Sequence, residues 1–144
     1  MIDEQIQTIG VTALLRRAGA SERLRAERKL LPLELTQGQL AILELIDGGG
    51  GLTSAKAARA ECLTPQTICV IVRNLERRGA IKRYPDTNGG RGQTLHLTAL
   101  GKDLLVDARG AMAGDEARML RLFAPAEALV VKRWLSEIIR QRQA

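Results

Sequence analysis

Apolar residues recur along most of this chain every three or four positions, the period of a helix with one buried face. Over residues 4–30 they fall at Ile6, Ile9, Val11, Leu14, Leu15, Ala18 and Leu24, which predicts one helix ended by Leu31-Pro32-Leu33. Gly10 and Gly19 are its weak points. Thr36 then reads as an N-cap, with Gln39 three residues on completing a capping-box pattern, and Leu40, Leu43 and Ile46 follow at helical spacing. Asp47 and the run Gly48–Gly51 stop this second helix. Thr53 caps a short third helix, Ser54 to about Ala60, whose Ala55, Ala57 and Ala58 are small enough for close packing. Thr64-Pro65 starts a fourth, because the hydroxyl caps the first turn and proline suits the first helical position. It runs to about Arg78, where Gly79 is placed for a left-handed cap.

The period then changes to two. Short strands are expected near Ala80–Tyr84 and Thr94–Leu97, the second with Leu95 and Leu97 on one face and Thr94 and His96 on the other. The residues between them, Pro85 to Gly92, have hairpin-loop chemistry. Thr98 caps a long fifth helix reaching about Leu122, Ala124-Pro125 breaks it, and a sixth runs from about Pro125 to Arg140. The expected fold is mainly α with a small β-hairpin: a winged helix-turn-helix over residues 36–98, flanked by helices in 1–31 and 99–144, all in one 144-residue unit.

A helix-turn-helix lays its second helix in the major groove, so the fourth helix needs one apolar and one polar face. Ile68, Ile71, Val72 and Leu75 form a single core-facing stripe. At about 100° per residue, Gln66, Val70, Arg73 and Arg77 fall opposite it, with Thr67 and Asn74 beside them and Thr64 at the cap. Gln, Asn and Arg side chains bond base edges in pairs, and Val70 suits a thymine methyl. Lys82 and Arg83 open the hairpin, where they suit phosphates or structure, and Arg91 near its tip suits a narrow minor groove.

Charge sharpens this picture. The formal net charge is +6, and residues 52–98 carry eight Lys/Arg against three Asp/Glu, whereas residues 1–51 carry six against seven. A polyanion is therefore drawn to the middle third. Aromatics make up only 2%, which argues against a sandwich or barrel. Two cysteines, Cys62 and Cys69, are too few for a disulfide framework or a zinc site. Buried, inert thiols are the ordinary expectation for them, with redox sensing the less favoured one. No nucleophile–base pair, phosphate loop or metal motif is present, and His96 has no partner acid, so neither an enzyme, a cofactor nor a metal is expected. The acidic start does not read as a signal peptide and no apolar run reaches membrane-spanning length, which sets a cytoplasmic expectation and no membrane partner.

The segments Leu35-Thr36-Gln37-Gly38-Gln39-Leu40-Ala41-Ile42-Leu43, Thr64-Pro65-Gln66-Thr67-Ile68 and Leu75-Glu76-Arg77-Arg78-Gly79-Ala80-Ile81-Lys82-Arg83 resemble the MarR family of winged helix-turn-helix regulators. Tyr84-Pro85-Asp86, Leu95-His96-Leu97-Thr98 and Gly101 extend the resemblance over nearly the whole chain. It implies a homodimer held by the first and last helices, bound to a palindromic operator in double-stranded DNA and usually repressing nearby genes. It also implies, for many members, release by a small phenolic or aromatic effector, and for some by thiol oxidation. The chain departs from the family at two places. The common wing sequence Pro-Asp-x-x-Asp-Arg-Arg ends here in Gly89, Gly90 and Arg91, so only the last arginine carries over. Val70 and Arg73 also replace residues common in the family, a basic residue and an aspartate, so base preference does not transfer. Independently of the family, the first, fifth and sixth helices hold more apolar positions than a small reading head covers, which favours a two-fold dimer presenting its heads about 34 Å apart, one DNA turn. The alternative is a winged-helix protein-interaction module with no operator.

Overall fold

In the computed structural model, which describes residues 2–86 and 92–142, the expected caps are formed. Helices α1 (Ile2–Thr8) and α2 (Val11–Leu30) lead through a 3-10 turn at Leu31–Leu33 into α3 (Gln37–Asp47). Then follow α4 (Ser54–Glu61), α5 (Pro65–Arg77), strands β1 (Ile81–Pro85) and β2 (Gln93–Leu97), and α6 (Ala99–Ala111), α7 (Asp115–Leu120) and α8 (Pro125–Gln141). Thr36 and Gln39 complete the reciprocal capping box of α3, at 3.0 and 3.1 Å. Thr53, Thr64 and Thr98 each accept an amide three residues on, which satisfies a donor that the first turn leaves open.

Two expected helices are divided. The helix expected over 4–30 breaks at Gly10, whose backbone is extended, while Gly19 sits undisturbed inside α2. The helix expected from Thr98 to Leu122 ends at Ala111, and Gly114, at φ +86°, starts α7. Glycine lowers helix propensity at both sites, and Gly114 adopts a conformation that side chains with a Cβ avoid.

The core lies where α2, α3, α4, α5, α6 and the hairpin meet. Leu30, Ile42, Leu43, Ile68, Leu75 and Leu105 are its largest fully buried side chains. Ala57 and Ala58 are buried as expected, but Ala55 points outward. Strands β1 and β2 pair antiparallel, with Ile81 opposite Leu97 and Arg83 opposite Leu95. The glycine connector lies beside β2, through a 2.9 Å bond from the Leu95 amide to the Leu52 carbonyl. At the foot of the hairpin α6 crosses the chain closely: a Cβ on Gly101 would stand 2.0 Å from the Ala80 carbonyl oxygen, so only glycine fits.

Helices α7 and α8 contribute no buried residue. Their apolar side chains Met119, Leu129, Val130, Trp134 and Ile139 are exposed, as are Phe123 between them and Val11, Leu15 and Leu24 on α2. No described helix is long and apolar enough to cross a membrane.

Candidate nucleic-acid interface

The site is built on α5. Thr64 has an extended backbone, its hydroxyl accepts the Thr67 amide at 3.2 Å, and the two threonine hydroxyls meet at 2.8 Å. Pro65 occupies the first turn without a lost bond, since its missing N–H has no partner there in any helix. Ile68, Val72 and Leu75 are buried against α3 and α4, so the helix cannot rotate about its axis without exposing them. That anchorage places Gln66, Thr67, Val70, Arg73, Asn74 and Arg77 on the outside, with Val70 55% exposed. An exposed valine flanked by arginines and amides is a surface with uncommitted donors and one apolar contact point.

The hairpin divides its basic residues between two faces. Arg83 lies on the inner face with Leu95 and pairs through Nε with Glu76 of α5, which ties the wing to the helix. This pair is a structural contact, one of the two roles expected for Arg83 alongside phosphate. Lys82 is exposed on the outer face. Arg91 lies outside the described residues; at the base of its loop the Asp86 amide donates to the Gly92 carbonyl at 3.0 Å.

Several features of this surface were not anticipated from sequence. On the outer face Tyr84 meets His96 edge to face, with ring centroids 5.0 Å apart, and His96 Nε2 lies 2.8 Å from the Thr94 hydroxyl. His96 points outward as expected, but it is engaged there. The strand alternation puts these residues on one face; only the pairing register brings 84 and 96 together. Arg78, at the C-terminus of α5, donates through its guanidinium to the carbonyls of Leu33 and Glu34. No local pattern announces a partner 44 residues away.

Both cysteines are exposed, contrary to the expectation of buried thiols. Cys62 caps α4 with a left-handed backbone, φ +54°, and turns out of the core; Cys69 flanks the apolar stripe of α5 on its open side. Cys62 lines a cleft of about 600 Å³ with Ala58, Arg59, Leu63, Ile139 and Arg142, between the helix-turn-helix and the end of α8. On the preceding residue, partial burial and, secondarily, the charge of Glu44 hold the Glu61 carboxyl above its ordinary value.

Away from the reading head, α7 is held to α2 by charge. Asp115 pairs with Lys29 and with Arg25 at 3.6 Å, and Arg118 meets Glu22 at 3.1 Å. The Lys29 hydrogen bond, assisted by the charges of Lys29, Arg25 and Arg118, lowers the Asp115 carboxyl below its ordinary value against the opposing effect of burial.

Comparison with known proteins agrees with this geometry. Residues 35–92 match the MarR family. The HTH-type transcriptional repressor Rv2887 of Mycobacterium tuberculosis is 36% identical over 115 residues, covering 79% of this chain and 83% of that protein. The crystal structure of the same mycobacterial protein with salicylic acid superposes with a TM-score of 0.67 at 32% identity, over 90% of this chain and 96% of that one. The fold also matches the MepR–DNA complex of Staphylococcus aureus, with a TM-score of 0.83 at 24% identity, over 92% of this chain and 96% of that one.

Proposed function

Since the chain belongs to the MarR family of DNA-binding transcriptional regulators, which are not enzymes, we propose that it is a homodimeric repressor that binds a palindromic operator and answers to a small effector. The observation that carries this reading is the outward face of α5, with Gln66, Val70, Arg73, Asn74 and Arg77 exposed over buried Ile68, Val72 and Leu75. Residues 36–98 form the reading head, and 1–31 and 99–144 supply the dimer helices. Gln66, Thr67, Val70, Arg73 and Asn74 face the bases; Thr64, Arg77 and Lys82 serve the phosphates; Arg91 enters the minor groove. A repressor of this kind acts in the cytoplasm, where the operator is.

Two observations support effector binding. The mycobacterial relative forms a complex with salicylic acid, a small aromatic acid. The cleft beside Cys62 offers this chain an apolar floor with two cations, Arg59 and Arg142, at its wall. A small aromatic anion meets both features.

Operator selection from genomic fragments, followed by binding at several salt concentrations, tests the reading. The affinity should fall steeply with salt, with a logarithmic slope of about −0.9 per phosphate contact. Replacing Arg73 with alanine should change the selected bases, and Arg91→Ala should weaken binding to an unchanged consensus. Absence of duplex binding at low salt would overturn the proposal and leave a protein-interaction module.

A further inference from the structure

Arg78 has two bonds that its position on the helix does not require. Its backbone amide already closes α5, by donating to the Asn74 carbonyl at 3.1 Å. Its side chain crosses to another part of the chain: Nη1 donates to the Glu34 carbonyl at 2.7 Å and Nη2 to the adjacent Leu33 carbonyl. Those two carbonyls belong to the knuckle that ends α2. Glu34 has a left-handed backbone there, φ +51°, and its amide bonds back to Leu31 at 2.9 Å. Buried Leu30 and Leu35 hold the knuckle on either side.

The chemistry of the fork matters. A planar guanidinium holding two successive carbonyls fixes direction as well as distance, which a single bond to a flexible ammonium does not. A cation also suits this place, since it stands at the C-terminus of α5 and bonds the turn that follows the C-terminus of α2. The second route between α2 and α5 runs through α3, which packs against both. Arg78 therefore closes a triangle whose other sides are hydrophobic contacts.

We propose that Arg78 is a positioning residue for operator recognition: its fork sets the angle between the reading helix α5 and the dimer helix α2, and so sets how strictly the dimer measures the distance between half-sites. This rests on the homodimer and operator proposed above. One base pair inserted between half-sites turns them by about 35° and separates them by about 3.4 Å, so a rigid head must lose contacts that a loose one recovers.

The test compares wild type, Arg78→Lys and Arg78→Met on the selected operator and on the same operator with one central base pair inserted. Wild type should lose about ten-fold or more in affinity on insertion, and Arg78→Met about two- to three-fold, with equal affinities for an isolated half-site. Arg78→Lys keeps the charge but not the fork. It should retain the wild-type salt slope and show the relaxed spacing, which a direct phosphate contact would not do. Equal discrimination by all three proteins overturns the proposal. A DNA-free measurement separates this outcome from failure of the operator reading. Spin labels at Cys69 and at Arg23→Cys, in a Cys62→Ser background diluted with unlabelled chains, report the α2–α5 distance. A broader distribution in Arg78→Met and Arg78→Lys supports the strap even if no operator is found; an unchanged one overturns it.

Discussion

At the scale of single residues, the tightest constraint is Gly101. Its α-carbon sits against the Ala80 carbonyl, beside the 3.0 Å bond from the Thr98 amide to that same oxygen. Any Cβ there must push α6 off the foot of the hairpin. Gly101→Ala should destabilise the protein by about 3 kcal/mol or more in chemical denaturation. A loss below about 0.5 kcal/mol, the range of ordinary surface changes, would mean that α6 shifts without resistance. The sequence showed Gly101 only as part of a family pattern, because the close approach lies between segments about 20 residues apart. The outward face of α5 was legible residue by residue, since helical period and apolar stripe together decide which side chains face solvent. Arg78 and Arg83 were not legible, because their roles depend on partners that folding brings to them.

At the scale of elements, α7 depends on charge where the others depend on burial. It has no buried residue and is joined to α2 through Asp115 and Arg118. Because the Asp115 carboxyl is held below its ordinary value, its contribution to stability is present above that value and is lost as pH falls through the lower folded one. Asp115→Asn should therefore lower the denaturation midpoint near pH 7, and the gap from wild type should close on acidification below the ordinary carboxylate range. A gap independent of pH would assign the effect to packing instead. The division of the two long helices belongs to this scale as well. Gly10 and Gly19 marked the weak points of the first, but propensity does not distinguish Gly19, which α2 tolerates, from Gly10, where the helix ends, and the break before Gly114 was not expected.

At the scale of the whole molecule, the exposed apolar side chains of α2, α7 and α8 require a cover, and a second copy of the chain provides it in the proposed dimer. Sedimentation should show a wild-type dimer. Val130→Glu, at a position 54% exposed, should give a monomer. The same variant should bind the operator about 100-fold more weakly or worse, since each head then binds alone. A dimeric Val130→Glu protein with unchanged affinity would place the interface elsewhere.

The order of elements apart from the two helix breaks, the caps at Thr36, Thr53, Thr64 and Thr98, and the two faces of α5 could all be inferred from the chain without coordinates. These are local matters, settled by side chains within one or two helical turns. The exposure of both cysteines, the turn of Arg83 toward Glu76, the Tyr84–His96 contact and the Arg78 fork needed the assembled fold. Each depends on the register of strands or the crossing of helices, and those are set by how the core closes. The outward face of α5 was thus visible in the sequence as a surface, and its mounting against α2 emerged only in three dimensions.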